Sequence, residues 1–425
     1  MLQINFIRQN AAEVKQRLGV KNFSKIHLVD DLLNLDGDLR KQKAETENLQ
    51  AAMNLASKEI GILMGKGEKD AAEKKKQDVA QKKIELAECR SKLEELEIRF
   101  NEILLQLPNL PHPTVPKGKL VDDNETVKEA GEKPLLDKAA KPHWDLIKEY
   151  DLIDFETGAR LTGSGFPLYK GMGAKLQRSL IQFFLEYNTK AGYTEYAPPL
   201  MVNEATAYGT GQLPDKEGQM YHITEDGFYL IPTSEVPLTN IYADKIIKED
   251  ELPVKMTAFT PCFRREAGSF GADVRGLNRL HQFDKVEVVQ LVHPAKSYNV
   301  LEQMVAHVES LLVQLELPYR ILRLCGGDMS FTSALTYDFE VYSAAQQKWL
   351  EVSSVSNFET FQTNRMKIRF KNTEGKTELL HSLNGSSLAL PRIVAALLEN
   401  NQVGDYINLP RALHQYFGAK KIEKP

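Results

Sequence analysis

The chain has 425 residues, of which 42% are hydrophobic and 26% charged, and its formal net charge is −4. This length predicts two domains with sizeable cores, and the slightly acidic total argues against a surface coated in nucleic acid, although local basic patches are compatible with it. The three cysteines have no CxxC spacing and no apolar run approaches 18 residues, so we expect no disulfide framework, no structural zinc, no membrane span and a cytoplasmic location.

The first third of the chain carries two heptad stripes. Apolar or small residues recur at spacings of three and four over residues 32–63 and again over residues 72–107. Each stripe is sustained over four or more heptads, which predicts two coiled-coil helices. Three glycines (Gly61, Gly65 and Gly67) separate the stripes and predict that the chain reverses there. At 1.5 Å per residue each helix would be about 50 Å long, so we predict a projecting antiparallel arm over about residues 30–107.

A proline cluster follows the arm. Pro108, Pro111, Pro113 and Pro116 stop the second helix and form a stiff linker, which predicts domains over 1–110 and 111–425. The charged stretch that continues to Pro142 is predicted to be a surface connection. From His143 onward, helical and strand-like segments alternate. The predicted helix covers Lys175 to Tyr187, and the predicted strands cover Ala258 to Glu266, Gln282 to Val292, Tyr337 to Tyr342 and Trp349 to Ser354.

The segment from Phe263 to Glu287 combines arginines, a glycine-containing loop, one aromatic residue and several carboxylates. Residues two apart on a strand share a face, so Arg264 should point with Glu266, and Phe283 with Lys285 and Glu287. A guanidinium matches phosphate oxygens, a carboxylate accepts from an amine such as that of adenine, and a phenyl ring stacks on a purine. These features suit a nucleotide triphosphate, but a surface hairpin with many salt bridges fits the spacing equally well.

Three further segments carry polar groups suited to the same chemistry. Thr233-Ser234-Glu235 offers a hydroxyl and a carboxylate for a small ammonium group, although such a triplet is commonly a helix cap. Residues 351–354 (EVSS) end a predicted strand with oxygen ligands that suit Mg²⁺, although polar residues at strand ends are usually solvated. Residues 384–387 (NGSS) predict a turn and cap before an apolar helix. Arg392 near that helix start opposes the helix dipole, and an anionic ligand would explain it, although this segment taken alone favours an exposed arginine.

Taken together in this order, the segments resemble the seryl-tRNA synthetases of the bacterial type, a family of class II aminoacyl-tRNA synthetases, over essentially the whole chain. Gly192 to Pro199 resembles the first class motif, with Pro199 at a dimer interface. Phe263 to Glu287 resembles the second motif and Gly385 to Arg392 the third. The resemblance implies an α+β fold in which an N-terminal coiled-coil hairpin, the tRNA-binding domain, precedes a catalytic domain built on an antiparallel sheet flanked by helices.

The resemblance also implies roles for individual residues. Arg264 would bind the α-phosphate of ATP and Arg392 the γ-phosphate end, and both would be catalytic. The implied ATP-binding residues are Arg264, Arg265, Glu266, Phe283, Glu351, Val352, Ser353, Ser354 and Arg392. The implied L-serine residues are Thr233, Ser234, Glu235, Glu287 and Ser386. Glu351 and Ser354 would coordinate Mg²⁺.

Some positions depart from the commonest family pattern. Ser387 and Pro391 stand where glycine is frequent, and Leu335 stands where lysine is frequent. Ser387 places a second hydroxyl beside Ser386, so either serine could face the substrate hydroxyl. None of these departures removes a group that the chemistry needs.

The implied reaction joins L-serine to tRNA(Ser) through a seryl-adenylate, in a homodimer, with tRNA(Sec) as a further candidate substrate. Seven lysines against four acids between Lys66 and Lys83 give that part of the arm a net charge of +3, which suits a tRNA backbone. Taken alone, the same pattern favours a coiled coil that docks a protein. Two other functions stay open: a same-class ligase for another amino acid or a carrier protein, and a non-catalytic scaffold paralogue.

Overall fold

The computed structural model describes residues 1–266 and 275–425. The chain forms two compact units, one made of residues 2–19 and 23–108 and the other of residues 1, 20–22 and 109–425. The predicted division at residue 110 would place residue 1 and residues 20–22 in the first domain, whereas in the structure they belong to the second unit. No helix in these described ranges is long and apolar enough to cross a membrane.

The first unit is helical and contains the predicted arm. Its helices are α1 (Ile4–Gln9), α2 (Ala11–Val20), α3 (Leu28–Gly65) and α4 (Lys69–Leu104). With 38 and 36 residues, α3 and α4 are each about 55 Å long. The predicted reversal across three glycines is wrong in detail, since Gly61 and Gly65 lie within α3 and the turn covers only residues 66–68. An exposed glycine costs a helix about 1 kcal/mol but does not end it when the pairing stripe continues.

Side-chain pairs show that α3 and α4 run antiparallel. Near the tip, Lys75 Nζ lies 2.7 Å from Glu59 Oε2, and farther down Arg90 donates to Gln50 over 2.7 Å. Gln42, which interrupts the predicted apolar stripe, is buried and its amide contacts the Cys89 carbonyl at 3.4 Å. A buried polar residue of this kind favours one register of a coiled coil at some cost in stability.

The second unit is built from helices and strands that alternate along the chain. Its helices are α5 (His143–Glu149), α6 (Phe155–Leu161), α7 (Gly171–Lys190), α8 (Glu204–Thr210), α9 (Glu235–Asn240), α10 (Ser297–Gln314), α11 (Phe361–Met366), α12 (Leu390–Asn400) and α13 (His414–Phe417). Its strands are β1 (Glu125–Ala130), β2 (Ile153–Asp154), β3 (Leu168–Tyr169), β4 (Thr194–Glu195), β5 (Met201–Asn203), β6 (His222–Ile223), β7 (Phe228–Leu230), β8 (Ile246–Lys248), β9 (Val254–Phe263), β10 (Gln282–Val292), β11 (Tyr319–Arg323), β12 (Leu335–Ser343), β13 (Lys348–Asn357), β14 (Arg369–Lys371), β15 (Thr377–Leu379), β16 (His381–Ala389), β17 (Gln402–Val403), β18 (Tyr406–Asn408) and β19 (Lys421–Glu423).

Eight of these strands form the main sheet in the order β1-β11-β12-β13-β16-β10-β9-β4. All neighbours are antiparallel except β4 and β9. Alternate residues of β10 (Val286, Val288 and Val292) are buried in a core shared with α7, α10 and α12. Lys285 and Glu287, which flank Val286, are therefore directed to the other face. The predicted antiparallel sheet flanked by helices is confirmed.

Two local predictions are wrong. Residues 384–387 do not form a turn and cap; they lie within β16, which pairs with β10 on one side and β13 on the other. The stretch up to Pro142 is not only surface connection, since Glu125–Ala130 forms strand β1 at the sheet edge. In both cases hydrogen bonds to strands that are distant in sequence decide the structure, and at residues 384–387 they override a local preference for a turn.

Candidate active site

A cavity of about 550 Å³ opens on the face of the main sheet opposite α7, α10 and α12. Its walls come from the start of α9, the end of β9, residues 277–280, strands β10, β13 and β16, and the start of α12. It brings together twelve of the fourteen residues expected from the sequence. They are Thr233, Glu235, Arg264, Glu266, Phe283, Glu287, Glu351, Val352, Ser353, Ser354, Ser386 and Arg392.

Ser234 and Arg265 are not among the lining residues. Ser234 is fully buried, with its hydroxyl 3.5 Å from the Ala258 carbonyl. The backbone N–H of Arg265 donates to Gln219, and its guanidinium lies 5.7 Å from the ring centre of Tyr221. Both residues therefore hold neighbouring segments together outside the cavity.

One end of the cavity is almost closed to solvent and carries charge. Glu287 and Lys285, 1% and 6% exposed, form an ion pair of 2.6 Å between Oε2 and Nζ. Ser386 donates to the same Glu287 carboxylate over 3.3 Å, and Glu235 lies nearby at the start of α9. With both carboxylates ionised, the two acids and one lysine leave a net charge of −1, which suits one small cationic group.

At this end of the cavity, Glu235 is the acid whose pKa is shifted most. Burial, and next the repulsion by Glu287, raise the pKa of Glu235 to about 7, while a hydrogen bond from Gln362 of 2.6 Å acts in the opposite direction. Gln362 also donates to the Thr210 carbonyl and accepts from Ser382, so its amide is fixed at both ends. A cation placed between Glu235 and Glu287 would favour the ionised form of both.

The other end of the cavity is more open and carries three arginines. Arg264 follows β9; its guanidinium lies 5.1 Å from the ring centre of Phe283 and its Nε donates to Pro232 over 3.4 Å. Arg279 contacts the Glu266 carboxylate at 3.0 Å. Glu266 has φ +48°, so it lies beyond the strand, not within it as the sequence predicted. Arg264 and Glu266 nevertheless line the same cavity, as expected.

Arg392 lies in the first turn of α12 and is held by backbone oxygens. Its Nη1 donates to the Glu351 carbonyl over 2.8 Å and its Nε to the Asn278 carbonyl over 3.0 Å. The Glu351 carboxylate is 4.0 Å away and half exposed. A guanidinium fixed by carbonyls keeps its full positive charge for a ligand in the cavity.

A second pair of acids is formed by Glu351, which lines the cavity, and Asp338, which lies beside the lining residue Ser354 on the neighbouring strand. Asp338 on β12 faces Ser354 across the β12–β13 ladder and accepts its hydroxyl hydrogen bond. Burial, and next the nearby Glu351, raise the pKa of Asp338 well above its usual range, and its buried Oδ1 has no hydrogen-bond partner among the described residues. A bound cation would reduce the repulsion between the Asp338 and Glu351 carboxylates near Ser354.

The structure separates the two serines that the sequence left ambiguous. Ser386 lines the cavity, whereas Ser387 is fully buried and donates to Asn188 Oδ1 over 2.9 Å. His307 contacts the same oxygen at 2.7 Å, and the Asn188 amide donates to Thr257. Alternation along β16 explains the difference, since neighbouring residues of a strand point to opposite faces.

Several lining residues were absent from the expected set. Lys285 could have been included, because it alternates with Phe283 and Glu287 on the same predicted strand face. Other lining residues come from irregular segments whose approach to the cavity no local pattern indicates: Gln212, Glu217, Gln219, Leu277, Asn278, Arg279, Ser330 and Thr332. The loop between the two halves of the second motif, residues 267–274, lies outside the described residues.

Comparison with known proteins gives consistent matches at both ends of the chain. Residues 1–111 match the family described as seryl-tRNA synthetase N-terminal domain, and residues 221–401 match the tRNA synthetase class II core domain (G, H, P, S and T). The serine–tRNA ligase of Salinibacter ruber is 50% identical over 424 residues, covering 99% of each chain. The serine–tRNA ligase of Methylacidiphilum infernorum is 47% identical over 98% of this chain and 99% of its own.

Solved structures agree with these relatives. The seryl-tRNA synthetase of Pyrococcus horikoshii complexed with ATP matches over 100% of both chains, with a TM-score of 0.91 and 33% identity. The cytoplasmic serine–tRNA ligase of Naegleria fowleri in complex with AMP shares the fold, with a TM-score of 0.87 at 24% identity. Since relatives at about half identity span nearly the whole chain, this protein belongs to the seryl-tRNA synthetase family of class II aminoacyl-tRNA synthetases.

Proposed function

We propose that the protein activates L-serine with ATP and transfers the seryl group to tRNA(Ser). The observation that carries this proposal is the buried end of the cavity, where two carboxylates face one lysine beside the Ser386 hydroxyl. That set suits an α-ammonium group and a hydroxyl side chain together. The same cavity continues to three arginines, which suit a triphosphate.

In the first step, a carboxylate oxygen of serine attacks the α-phosphorus of ATP. A new oxygen–phosphorus bond forms, the bond between the α-phosphorus and the α,β-bridging oxygen breaks, and pyrophosphate leaves with the electron pair. Arg264 would neutralise charge at the α-phosphate and Arg392 at the γ-phosphate end, while the strands hold the two substrates in line. Both arginines have backbone carbonyl partners, which restrict where each guanidinium points.

In the second step, a ribose hydroxyl of the terminal adenosine of the tRNA attacks the activated carbonyl carbon. The new ester bond forms, the bond to the phosphate oxygen breaks, and AMP leaves as the hydroxyl gives up its proton. No side chain in the described part of the cavity is required as the acceptor of that proton, since the departing phosphate can take it.

Serine selection would depend on Thr233, Glu235, Glu287 and Ser386, all of which line the cavity. A site whose buried polar groups are paired by a substrate hydroxyl rejects an analogue that lacks it, because those groups would be left unpaired. Alanine would be excluded on that ground. Glu266 and Phe283 would contact the adenine base.

Magnesium ion fits the edge of the cavity near Glu351 and Ser354. Within residues 1–266 and 275–425 no group forms a hydrogen bond with the buried Asp338 Oδ1, and Asp338 and Glu351 together favour a cation. Mg²⁺ commonly takes one or two carboxylates and completes its shell with phosphate oxygens and water. When bound, it would neutralise charge on the phosphates, while Glu351 and Ser354 hold it at this edge.

The arm would bind the tRNA through its basic tip. Seven lysines between Lys66 and Lys83 outnumber four acids there, so contact would be made mainly to phosphates and shape. A homodimer formed around the first class motif, a cytoplasmic location and charging of tRNA(Sec) belong to the same proposal.

Amino-acid-dependent exchange of pyrophosphate into ATP tests the activation step directly. We expect exchange with L-serine and background rates with L-alanine. Exchange with another amino acid but not with serine would reject the substrate assignment. Absence of exchange with every amino acid would favour the scaffold alternative.

Deleting residues 35–105 tests the division of labour between the two units. The remaining chain keeps every described residue that lines the cavity, so we expect serine-dependent exchange to persist while tRNA charging falls by orders of magnitude. A circular dichroism melt of the deletion variant controls for folding. Loss of both activities from a variant that melts normally would contradict the proposal.

A further inference from the structure

A buried polar cluster lies beneath the segment that returns from the second-motif loop, outside the groups discussed so far. Its centre is His143, the first residue of α5, and Glu399, near the end of α12; both side chains are fully buried. The Nδ1 atom of His143 lies 2.7 Å from Glu399 Oε1, and the His143 backbone N–H donates to the same oxygen over 2.9 Å. Gln346 donates to that oxygen as well, and Ser343 donates to Oε2.

The hydrogen bonds define the protonation of His143. Its Nε2 accepts from the backbone N–H of Leu277 over 2.9 Å, so this nitrogen carries no proton. The proton of the neutral ring is then on Nδ1 and is donated to Glu399. Burial, the largest single influence, raises the pKa of the Glu399 carboxyl, but the hydrogen bonds from His143 and Ser343 together outweigh it, so that the pKa lies below its usual value. A buried carboxylate satisfied by several donors is a rigid anchor.

The cluster reaches the cavity through two consecutive residues. Leu277, held by His143, and Asn278 both line the cavity. The Asn278 amide donates to Gln346 over 3.0 Å, and its carbonyl accepts from Arg392 Nε over 3.0 Å. Arg392 and Glu399 are seven residues apart on α12, which places them on the same side of the helix. One helix therefore presents an arginine to the cavity and anchors the segment that orients this arginine.

Two further contacts join the end of the loop, residues 275 and 276, to the start of α5. Gly276 has φ +67°, and a Cβ atom at this position would lie 2.3 Å from His143 Nε2. Only glycine accommodates both the backbone conformation and the close approach of the ring. Beside it, the Arg275 guanidinium lies 4.6 Å from the ring centre of Trp144. Three adjacent contacts therefore hold residues 275–277 against the start of α5.

We propose that His143 is a positioning residue for ATP, acting through the Leu277 backbone on Asn278 and Arg392. It does not touch the substrates. It fixes the end of the loop whose carbonyl holds the arginine expected to bind the γ-phosphate end. The inference rests on the proposed function for the identity of the nucleotide.

Two substitutions separate the two hydrogen bonds of the ring. In His143→Gln, the amide oxygen reaches the position of Nε2 and can accept from Leu277, but the bond to Glu399 is lost. In His143→Asn, the shorter amide can donate to Glu399 from the position of Nδ1, but the bond to Leu277 is lost. Loss of the Leu277 bond should weaken ATP binding roughly five- to tenfold, while loss of the Glu399 bond should mainly lower the melting temperature.

We therefore expect ATP affinity and melting temperature to rank the two variants in opposite orders. His143→Asn should melt higher than His143→Gln but should have the higher KM for ATP in pyrophosphate exchange, with KM for serine unchanged within about twofold. His222→Asn, at an exposed position on β6, controls for the loss of a histidine. If His143→Gln, the variant that melts lower, also has the higher KM for ATP, then ATP binding follows stability, His143 has only a structural role and the inference is overturned.

Direct calorimetric titration of ATP into each variant separates this inference from the proposed function. If wild-type protein binds ATP and the affinities rank the two variants in the order opposite to their melting temperatures, the positioning role holds whichever amino acid supports exchange. If the two variants bind ATP as tightly as wild type, the inference is wrong although the proposed function stands.

Discussion

The two ends of the cavity are built differently. At the serine end, Glu235, Lys285 and Glu287 are each at most 6% exposed and lie on or beside regular strands and helices. At the phosphate end, the side chains of Arg279, Glu351 and Arg392 keep 43%, 50% and 29% of their surface exposed. Arg392 is held by two backbone carbonyls, that of Asn278 in an irregular segment and that of Glu351 in β13. The first end has paired charges in a nearly dry site, whereas the second has charges that water screens until a ligand arrives.

This difference has a chemical consequence. In the dry end a missing or surplus charge cannot be screened, so small changes in protonation alter binding. At the open end, the arginines gain most when a highly charged ligand displaces water, so their contribution is to reactive geometry and charge stabilisation. Selectivity should therefore depend on the serine end and rate on the phosphate end.

The largest effect is expected at Arg264. Replacing it by alanine removes the guanidinium proposed to stabilise charge at the α-phosphate, and we expect the rate of pyrophosphate exchange to fall by about 10²- to 10³-fold. KM for serine should change much less, because Arg264 belongs to the open end. Steady-state exchange kinetics with serine varied at saturating ATP measure the two quantities separately.

The neighbouring arginine provides a matched comparison. Arg265 has the same charge and adjoins Arg264, but its guanidinium lies against Tyr221 and it is not a lining residue of the cavity. Arg265→Ala should therefore reduce exchange far less than Arg264→Ala. Equal losses would mean that net positive charge matters more than the position of one guanidinium.

An intermediate effect is expected from the protonation of Glu235. Its pKa is raised to about 7, first by burial and next by Glu287, so the carboxylate that would bind the substrate ammonium is mostly neutral at pH 6 and mostly ionised at pH 8. The ammonium of serine stays protonated across this range. We expect KM for serine to fall by about tenfold between pH 6 and pH 8, with little change in KM for ATP.

The raised pKa of Glu235 affects folding stability in the opposite direction: serine binding should improve as the pH rises, whereas the fold should lose stability. The folded-state pKa lies above the unfolded value, so Glu235 stabilises the fold below about pH 4.5, and this contribution is lost as the pH rises through about 7. In Glu235→Gln, KM for serine should be high and nearly independent of pH. A pH profile in the variant as steep as that in wild type would assign the titration to another group.

The fold could be predicted from the sequence where a pattern repeats or alternates. The heptads gave both arm helices, and Gln282 to Val292 was predicted with the limits of β10. Alternation on that strand also indicated that Phe283 and Glu287 share a face, and both line the cavity. Predictions that depend on period alone are reliable because the packing that they describe has the same period.

Predictions failed where distant contacts decide the structure. Asn384 and Gly385 favour a turn, yet strands on both sides hold them in β16. Asn278 and Thr332 line the cavity because irregular segments bring them there, and His143 contacts Leu277 across 134 positions of sequence. No local pattern carries information about such contacts, since the energy that forms them comes from the assembled sheet.

The smallest effects should distinguish Ser386 from Ser387. Ser387→Ala removes one buried hydrogen bond to Asn188, whose oxygen keeps its contact with His307. We therefore expect a loss of about 1 kcal/mol of folding stability and an unchanged KM for serine. Ser386→Ala should leave the melting temperature nearly unchanged, because its bond to Glu287 is long at 3.3 Å and Glu287 keeps the Lys285 partner. Its KM for serine should instead rise severalfold, with selectivity against alanine reduced. If Ser387→Ala raises KM for serine while Ser386→Ala does not, the hydroxyl that faces the substrate is that of Ser387, and β16 must shift when serine binds.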